Sequence, residues 1–384
     1  MKVATTILHK PALERLAEID WDFRDADTTF SAHSFHPYPA RYIPQIPGAI
    51  IEELTSSGET VYDPFMGGGT TLLEANLRKR NALGNDVSEL AVLIAQVKTT
   101  PIKPELLLSL PQVVEKATDS LLKEKIPARP NISKLDYWFK DFVIDELSVI
   151  IKEISELDNP ALADFCRVAL SSILVTVSNQ DSDTRYARTE NGIKKGDTLK
   201  KFARRLNAMK NVMFWEWKKI NMGDSVVRIS DTRDKLPFAE DSADLVVTSP
   251  PYPNAYDYHL YHKYRFFWLD MNLSFLRRNE IGAHADYSKK NGPSENDFRE
   301  DMEKCLMNIS GVLRKGRYLA VVIGDSILKG RHIRNDLVIR EASENTPFSF
   351  EGWFERNLNL RRKSFNPVIG NIKKEKILIF SNLK

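Results

Sequence analysis

The run Asp63-Pro64-Phe65-Met66-Gly67-Gly68-Gly69-Thr70-Thr71 constrains this chain more than any other stretch. Its three glycines sit between a strand-like run, Glu59 to Asp63, and a helical pattern, Thr70 to Arg80. Glycine at such a junction lets the backbone come close to a ligand, and the N-terminus of the following helix presents free N–H groups. A second strand-like run, Asn81 to Asp86, ends in an acid 23 residues after Asp63. An acid in that place can accept both hydroxyls of a ribose. No Gly-Lys-Ser/Thr follows the glycines, which disfavours triphosphate hydrolysis. The spacing also departs from Gly-x-Gly-x-x-Gly, so a dinucleotide stays open without being favoured.

Strand, turn, helix and strand in succession build parallel sheets. Apolar runs resume at Ala243 to Thr248, Tyr318 to Gly324 and Glu375 to Phe380, whereas residues 101–220 read mostly as helix. A continuous apolar run such as Ala243 to Thr248 suits a strand buried on both faces. The 384 residues therefore predict an α/β chain with one doubly wound sheet, built from residues 1–100 and 221–384, and a helical insertion over 101–220. The longest apolar runs, Ala91 to Ala95 and Leu319 to Ile323, fall far short of the roughly 18 residues of a membrane span. Met1 onward lacks a small-residue cleavage site, so a cytoplasmic protein is expected. Cys166 and Cys305 have no metal-ligand companion at short spacing, and no metal site is expected.

The second chemical cluster is Thr248-Ser249-Pro250-Pro251-Tyr252, directly after an apolar strand. Two prolines fix φ twice and remove two donors, so the carbonyls before them project rigidly. An exocyclic amine placed there can donate one hydrogen to the Ser249 side chain and the other to the carbonyl of Ser249 or Pro250. Tyr252 can stack on the ring that bears the amine. Such bonding draws the nitrogen lone pair toward an electrophile held at the glycine loop.

Asp-Pro-Phe-x-Gly-x-Gly-Thr-Thr together with Thr-Ser-Pro-Pro-Tyr resembles the S-adenosylmethionine-dependent amino-methyltransferases of DNA. Ser249 before Pro-Pro-Tyr resembles the cytosine-N4 branch, where adenine-N6 enzymes usually carry Asp or Asn. The resemblance covers residues 30–100 and 221–384 and implies a Rossmann-like methyltransferase sheet. It implies S-adenosylmethionine as cofactor, held by Asp63, Pro64, Phe65, Gly67, Gly69 and Thr70, with Asp86 on the ribose. The segment Ser34 to Pro44, with Tyr38 and Ala40, looks like the one that closes over the methionine end. Met222-Gly223-Asp224-Ser225 resembles the element that meets the adenine amine, which points to Asp224. Ser249, Pro250, Pro251 and Tyr252 would carry catalysis. Many cytosine-N4 enzymes place the Pro-Pro-Tyr motif before the glycine loop; the reverse order here bears on where sequence reading sits rather than on the reaction.

The implied reaction is methylation of cytosine N4 at a specific duplex site, with the target base flipped out of the stack. A restriction-modification setting with a cognate endonuclease is part of that expectation; adenine-N6 methylation and guanine-N2 methylation of RNA are the alternatives. Formal net charge is only +3, but residues 185–220 hold eleven Lys or Arg against three acids. Arg185, Arg188, Lys200, Lys201, Arg204 and Arg205 are therefore candidates for contact with double-stranded DNA. Arg361-Arg362-Lys363, Lys373-Lys374 and the loop Gly282 to Ser294 are further basic stretches.

Overall fold

The computed structural model describes residues 11–220, 223–358 and 374–384; Met222, Arg361 to Lys363 and Lys373 lie outside the described residues. Among the described residues, seven strands form the central sheet: β1 Thr60–Asp63, β2 Asn81–Asp86, β3 Ser225–Ile229, β4 Ala243–Thr248, β5 Leu313–Gly324, β6 Phe348–Asn357 and β7 Lys374–Asn382. Their spatial order is β6-β7-β5-β4-β1-β2-β3. Only β7 runs antiparallel to its neighbours. The chain starts mid-sheet at β1, winds out through β2 and β3, then returns to build the other half from β4. Strand order thus reverses between β1 and β4, the place where a doubly wound sheet opens a ligand crevice at its C-terminal strand ends. This is the Rossmann-like α/β fold expected.

Side chains alternate across the sheet with period two. Val61, Leu245, Val247, Ala320, Val322, Ile377 and Ile379 face Ile46, Ile50 and Ile51 of the helix Gln45–Leu54. Tyr62, Val246, Leu319, Val321, Leu378 and Phe380 face Phe298, Met302 and Ile309 of the helix Glu295–Val312. Two strands, β3 and β6, were not anticipated from sequence. Their partly exposed positions break the apolar runs that marked the central strands.

Residues 104–220 are largely helical, including Asp141–Ser155, Pro160–Val177 and Asp197–Ile220, with one short antiparallel hairpin, Gln180–Ser182 against Arg185–Arg188. The insertion shares its core with the rest of the chain. Ile144, Leu147, Phe165 and Leu170 cluster with Leu90, Ile94 and Val97 of the helix Glu89–Thr99, and with Phe266 and Trp268. Pro160–Val177 is long and apolar enough to cross a membrane by length and composition, and 67% of that stretch is buried inside the protein. Burial on this scale is what a core helix shows.

Candidate active site

Four strand ends converge on a cavity of about 330 Å³. Its walls are Pro64 to Gly68 after β1, Asp86 to Ser88 after β2, Ser230 to Thr232 after β3 and Ser249 to Tyr252 after β4. Tyr38 to Ile43 and Asp22 to Arg24 cover it from the N-terminal side, and Leu276 together with Asn279 to Gly282 closes another. The glycine loop and the Ser-Pro-Pro-Tyr motif, far apart in sequence, therefore face one space.

Asp86 is the polar floor. Its Oδ2 accepts from the Gly67 N–H at 3.0 Å and its Oδ1 from the Ser88 N–H at 2.9 Å. A carboxylate has about four lone-pair sites, so acceptor capacity toward the cavity is left. Burial pushes its pKa up to about 6 against those two hydrogen bonds. Gly67 adopts φ +46°, a conformation that favours glycine, and a Cβ there would stand 3.3 Å from the Tyr38 ring. Tyr38 is itself fixed by stacking on His262, with centroids 5.1 Å apart, and on Tyr258 at 5.8 Å. The loop thus forms a cradle walled by Tyr38 and floored by Asp86, suited to a nucleoside with a ribose diol.

Asp63 lies behind this wall rather than in it. It is 1% exposed, and it accepts from Phe65 N–H at 3.1 Å, Thr71 Oγ1 at 2.5 Å and Thr248 Oγ1 at 2.6 Å. Burial raises its pKa to about 6. Its geometry is that of an anchor, tying the glycine loop to the end of β4. Gly69 also stays out of the cavity. With φ +72° it starts the helix Thr70–Leu77, and a Cβ there would meet Ala95 at 2.8 Å, so it is glycine for helix packing rather than ligand approach. Thr70, Pro64, Phe65, Tyr38 and Ala40 do line the cavity.

Asp224 falls at the wrong end of the sheet. It precedes β3, and its main chain pairs with Ala82 and Asn81 at the N-terminal ends of the strands. The cavity is reached at the other end of β3 by Ser230, Asp231 and Thr232, which sequence reading missed for want of recognising β3. Asn85 locks this segment in place: its Nδ2 donates to Ser230 O at 3.1 Å and to Thr232 Oγ1 at 3.0 Å. Glu280, also unforeseen, lines the cavity and holds Tyr258 N–H at 2.6 Å and His259 Nδ1 at 2.6 Å.

Of the basic candidates, Arg205 is occupied internally, donating to Ser172 Oγ at 3.0 Å and to the Ser34 carbonyl. Arg188 donates to the Tyr137 carbonyl at 3.1 Å and lies 4.9 Å over the Tyr137 ring. Lys200, Arg204 and Arg185 are exposed, and Lys201 is half-buried.

Residues 10–97 match the N6/N4 family described as DNA methylase. Over 374 residues the chain is 29% identical to the Type II methyltransferase M.MvaI of Kocuria varians, covering 83% of this chain and 82% of that protein. It is 35% identical over 86 residues to the Type II methyltransferase M.MjaII of Methanocaldococcus jannaschii, covering 21% of this chain and 16% of that one. Among solved structures, a TehB-like SAM-dependent methyltransferase from Corynebacterium glutamicum matches with a TM-score of 0.32 and 9% identity, covering 88% of this chain and 86% of that one. The DNA methylase match across the glycine loop and the long alignment with a type II methyltransferase support a DNA amino-methyltransferase that uses S-adenosylmethionine.

Proposed function

We propose that the protein transfers a methyl group to N4 of cytosine within a specific site in double-stranded DNA. The observation that carries this reading is Ser249, ahead of Pro250-Pro251-Tyr252, on the wall of the same cavity as the glycine loop and Asp86. S-adenosylmethionine, when bound, supplies an electrophilic methyl group. Asp86 is suited to hold its ribose, Gly67 and Gly68 to admit it closely, and Tyr38 and Ala40 to cover it.

The Ser249 hydroxyl and the carbonyl at Ser249 or Pro250 accept the two amine hydrogens of the target base. They hold its nitrogen in line and shift its lone pair toward the methyl group. Catalysis then rests on positioning and polarisation, with no covalent enzyme intermediate. Duplex stacking hides that nitrogen, so the base enters the cavity flipped. Lys200, Lys201, Arg204 and Arg185 on the insertion are the candidates for phosphate contact, where a protein gains position rather than sequence information. The proposed setting is restriction-modification with a companion endonuclease, a reading supported by two relatives that are named type II methyltransferases.

Mass spectrometry of nucleosides from the DNA of cells expressing the protein tests the reading. N4-methylcytosine is expected. N6-methyladenine in its place overturns the target base, and unmodified DNA with methylated guanine in RNA overturns the substrate class.

A further inference from the structure

Three strands side by side bring a buried cation to the cavity. Gly324 at the end of β5, Glu375 at the start of β7 and Arg356 near the end of β6 stand in one row, each opposite the next in the antiparallel ladders. That row continues the rim on which Ser249 follows β4, on the side of β4 away from Asp86 at the end of β2. Arg356 and Glu375 both line the cavity. Arg356 Nη1 donates to Glu375 Oε2 at 3.1 Å, with the two side chains 5% and 14% exposed. The other carboxylate oxygen accepts from Tyr252 Oη at 3.3 Å. One carboxylate therefore holds the guanidinium against the Ser249-Pro250-Pro251-Tyr252 motif. Arg356 Nε is buried with no hydrogen-bond partner. An unpaired buried donor on a charged group destabilises the fold, so it calls for an acceptor that arrives with a ligand.

Charge and place identify that acceptor. Glu375 already balances the guanidinium, and a second anion beside its carboxylate would be repelled. A neutral acceptor suits the position better than a phosphate or the carboxylate end of a cofactor. The row also lies beyond Ser249 as seen from Asp86, on the side of the base rather than of the cofactor ribose. A base whose amine meets Ser249 carries the rest of its hydrogen-bonding edge beside that amine. In cytosine this edge holds two acceptors in succession, N3 and the 2-carbonyl oxygen. In adenine it holds N1 and then a C–H. Glu375 engages Nη1, and the fork formed by Nε and Nη2 has the planar geometry that matches two neighbouring acceptors on a base edge.

We propose that Arg356 is a specificity-determining residue that donates to N3 and the 2-carbonyl oxygen of the flipped cytosine and so selects cytosine over adenine. This rests on the reading, given above, that the target amine meets Ser249. Glu375 keeps the guanidinium in place without touching the base. Arg356 acts on capture and discrimination of the base, while the polarisation of the amine stays with Ser249 and the carbonyls of its motif.

The test is a cycle between Arg356→Met and an altered target base, read as kcat/KM for methylation of duplex DNA. Methionine keeps an apolar stem and removes every donor; Glu375→Gln accompanies it, so that no buried carboxylate is left without its cation. The altered base is a pyridine C-nucleoside that keeps the amine and the ring nitrogen of cytosine and carries C–H in place of the 2-carbonyl. On cytosine the paired variant is expected to lose about 10- to 100-fold, the range of a bidentate base contact, with cofactor affinity at the wild-type value. On the analogue its loss is expected to be smaller by about fivefold or more, because one of the two acceptors is gone. Both enzymes meet the same duplexes, so the analogue's own weaker pairing cancels. Equal losses on the two duplexes overturn the proposal: with a flatter salt dependence they assign Arg356 to phosphate, and without it to structure. A paired variant with wild-type kcat/KM overturns it as well. If the paired variant does not fold, Arg356→Lys takes its place. It keeps a cation on Glu375 but offers a point donor instead of a fork, and it is expected to narrow the cytosine-over-analogue ratio about fivefold. An unchanged ratio in that variant overturns the proposal. Nucleoside mass spectrometry of the wild-type product separates this test from the earlier reading. N6-methyladenine alone defeats the reading of the target base and this proposal with it. N4-methylcytosine, with Arg356 variants that keep the full cytosine-over-analogue ratio, defeats this proposal alone.

Discussion

Thr248 Oγ1 donates to Asp63 Oδ1 at 2.6 Å, joining the residue before the glycine loop to the residue before Ser249. The two sides of the cavity are thus registered by one buried hydrogen bond between adjacent parallel strands, β1 and β4. Thr248→Val keeps the shape and removes the donor. A hydrogen bond to a charged group contributes about 1.5–3 kcal/mol, so a fall of that size in unfolding free energy is expected by denaturant titration. Methylation should fall too, because the loop and the motif lose their common anchor. A variant with wild-type stability and rate would show that the strands alone set the spacing.

Asp86 predicts a pH dependence with two opposite signs. Its folded-state pKa is pushed up to about 6 by burial, above the ordinary value of about 3.9. In the unliganded protein this raised value favours the folded state at low pH. The contribution is fully present below about pH 4 and is lost as pH rises through 6. Ribose hydroxyls, however, need the ionised carboxylate as acceptor. Cofactor affinity should therefore weaken below pH 6, by about tenfold for each unit in the limit. Calorimetric titration between pH 5 and 8 measures it, and Asp86→Asn should bind weakly with a flat profile. An unchanged affinity at pH 5 in the wild type contradicts the assignment.

The sheet was legible where strands are central and wholly buried, as in Ala243 to Thr248, because such strands read as uninterrupted apolar runs. β3 escaped notice because none of its five positions is buried, and without it Asp224 was assigned to the cavity while Asp231 and Thr232 stayed hidden. Gly67 and Gly69 look alike in sequence. One borders the cavity and the other packs on Ala95, a difference set by contacts with residues about 30 positions away. Arg356 and Glu375 also line the cavity yet carry no local motif at all; the pairing of β6 with β7 sets them opposite each other, and that of β7 with β5 brings Glu375 within 3.3 Å of Tyr252 Oη.

The basic insertion makes a prediction that separates its members. Lys200 and Arg204 are exposed, whereas Arg205 is bound to Ser172 and Ser34. Neutralising Lys200, Lys201 and Arg204 together should reduce the slope of log affinity for duplex DNA against log salt by up to ~0.9 for each lost phosphate contact. Arg205→Gln should instead lower stability and leave the slope alone. Salt titrations of both variants decide it, and an unchanged slope for the triple variant assigns those cations to a solvated face.

Ser249 is where the proposed chemistry can be tested most directly. In the proposed reaction its hydroxyl accepts a hydrogen bond from the target amine, an interaction that tightens as the nitrogen pyramidalises on the way to the transition state. Interactions stronger in the transition state than in the ground state raise turnover rather than affinity. Ser249→Ala should lower single-turnover methylation by about 10²-fold, the lower end for losing one preorganised polar group. Cofactor affinity should stay near wild type, since Asp86 and the glycine loop are untouched. Tyr252→Ala differs in kind. It removes a ring whose stacking on a base contributes ~1–3 kcal/mol, so it should weaken DNA capture as well as rate. Quenched-flow measurement on a cytosine-containing duplex, with cofactor and DNA affinities measured beside it, distinguishes the two. A Ser249→Ala enzyme that methylates at the wild-type single-turnover rate defeats the acceptor role and, with it, the case for cytosine N4.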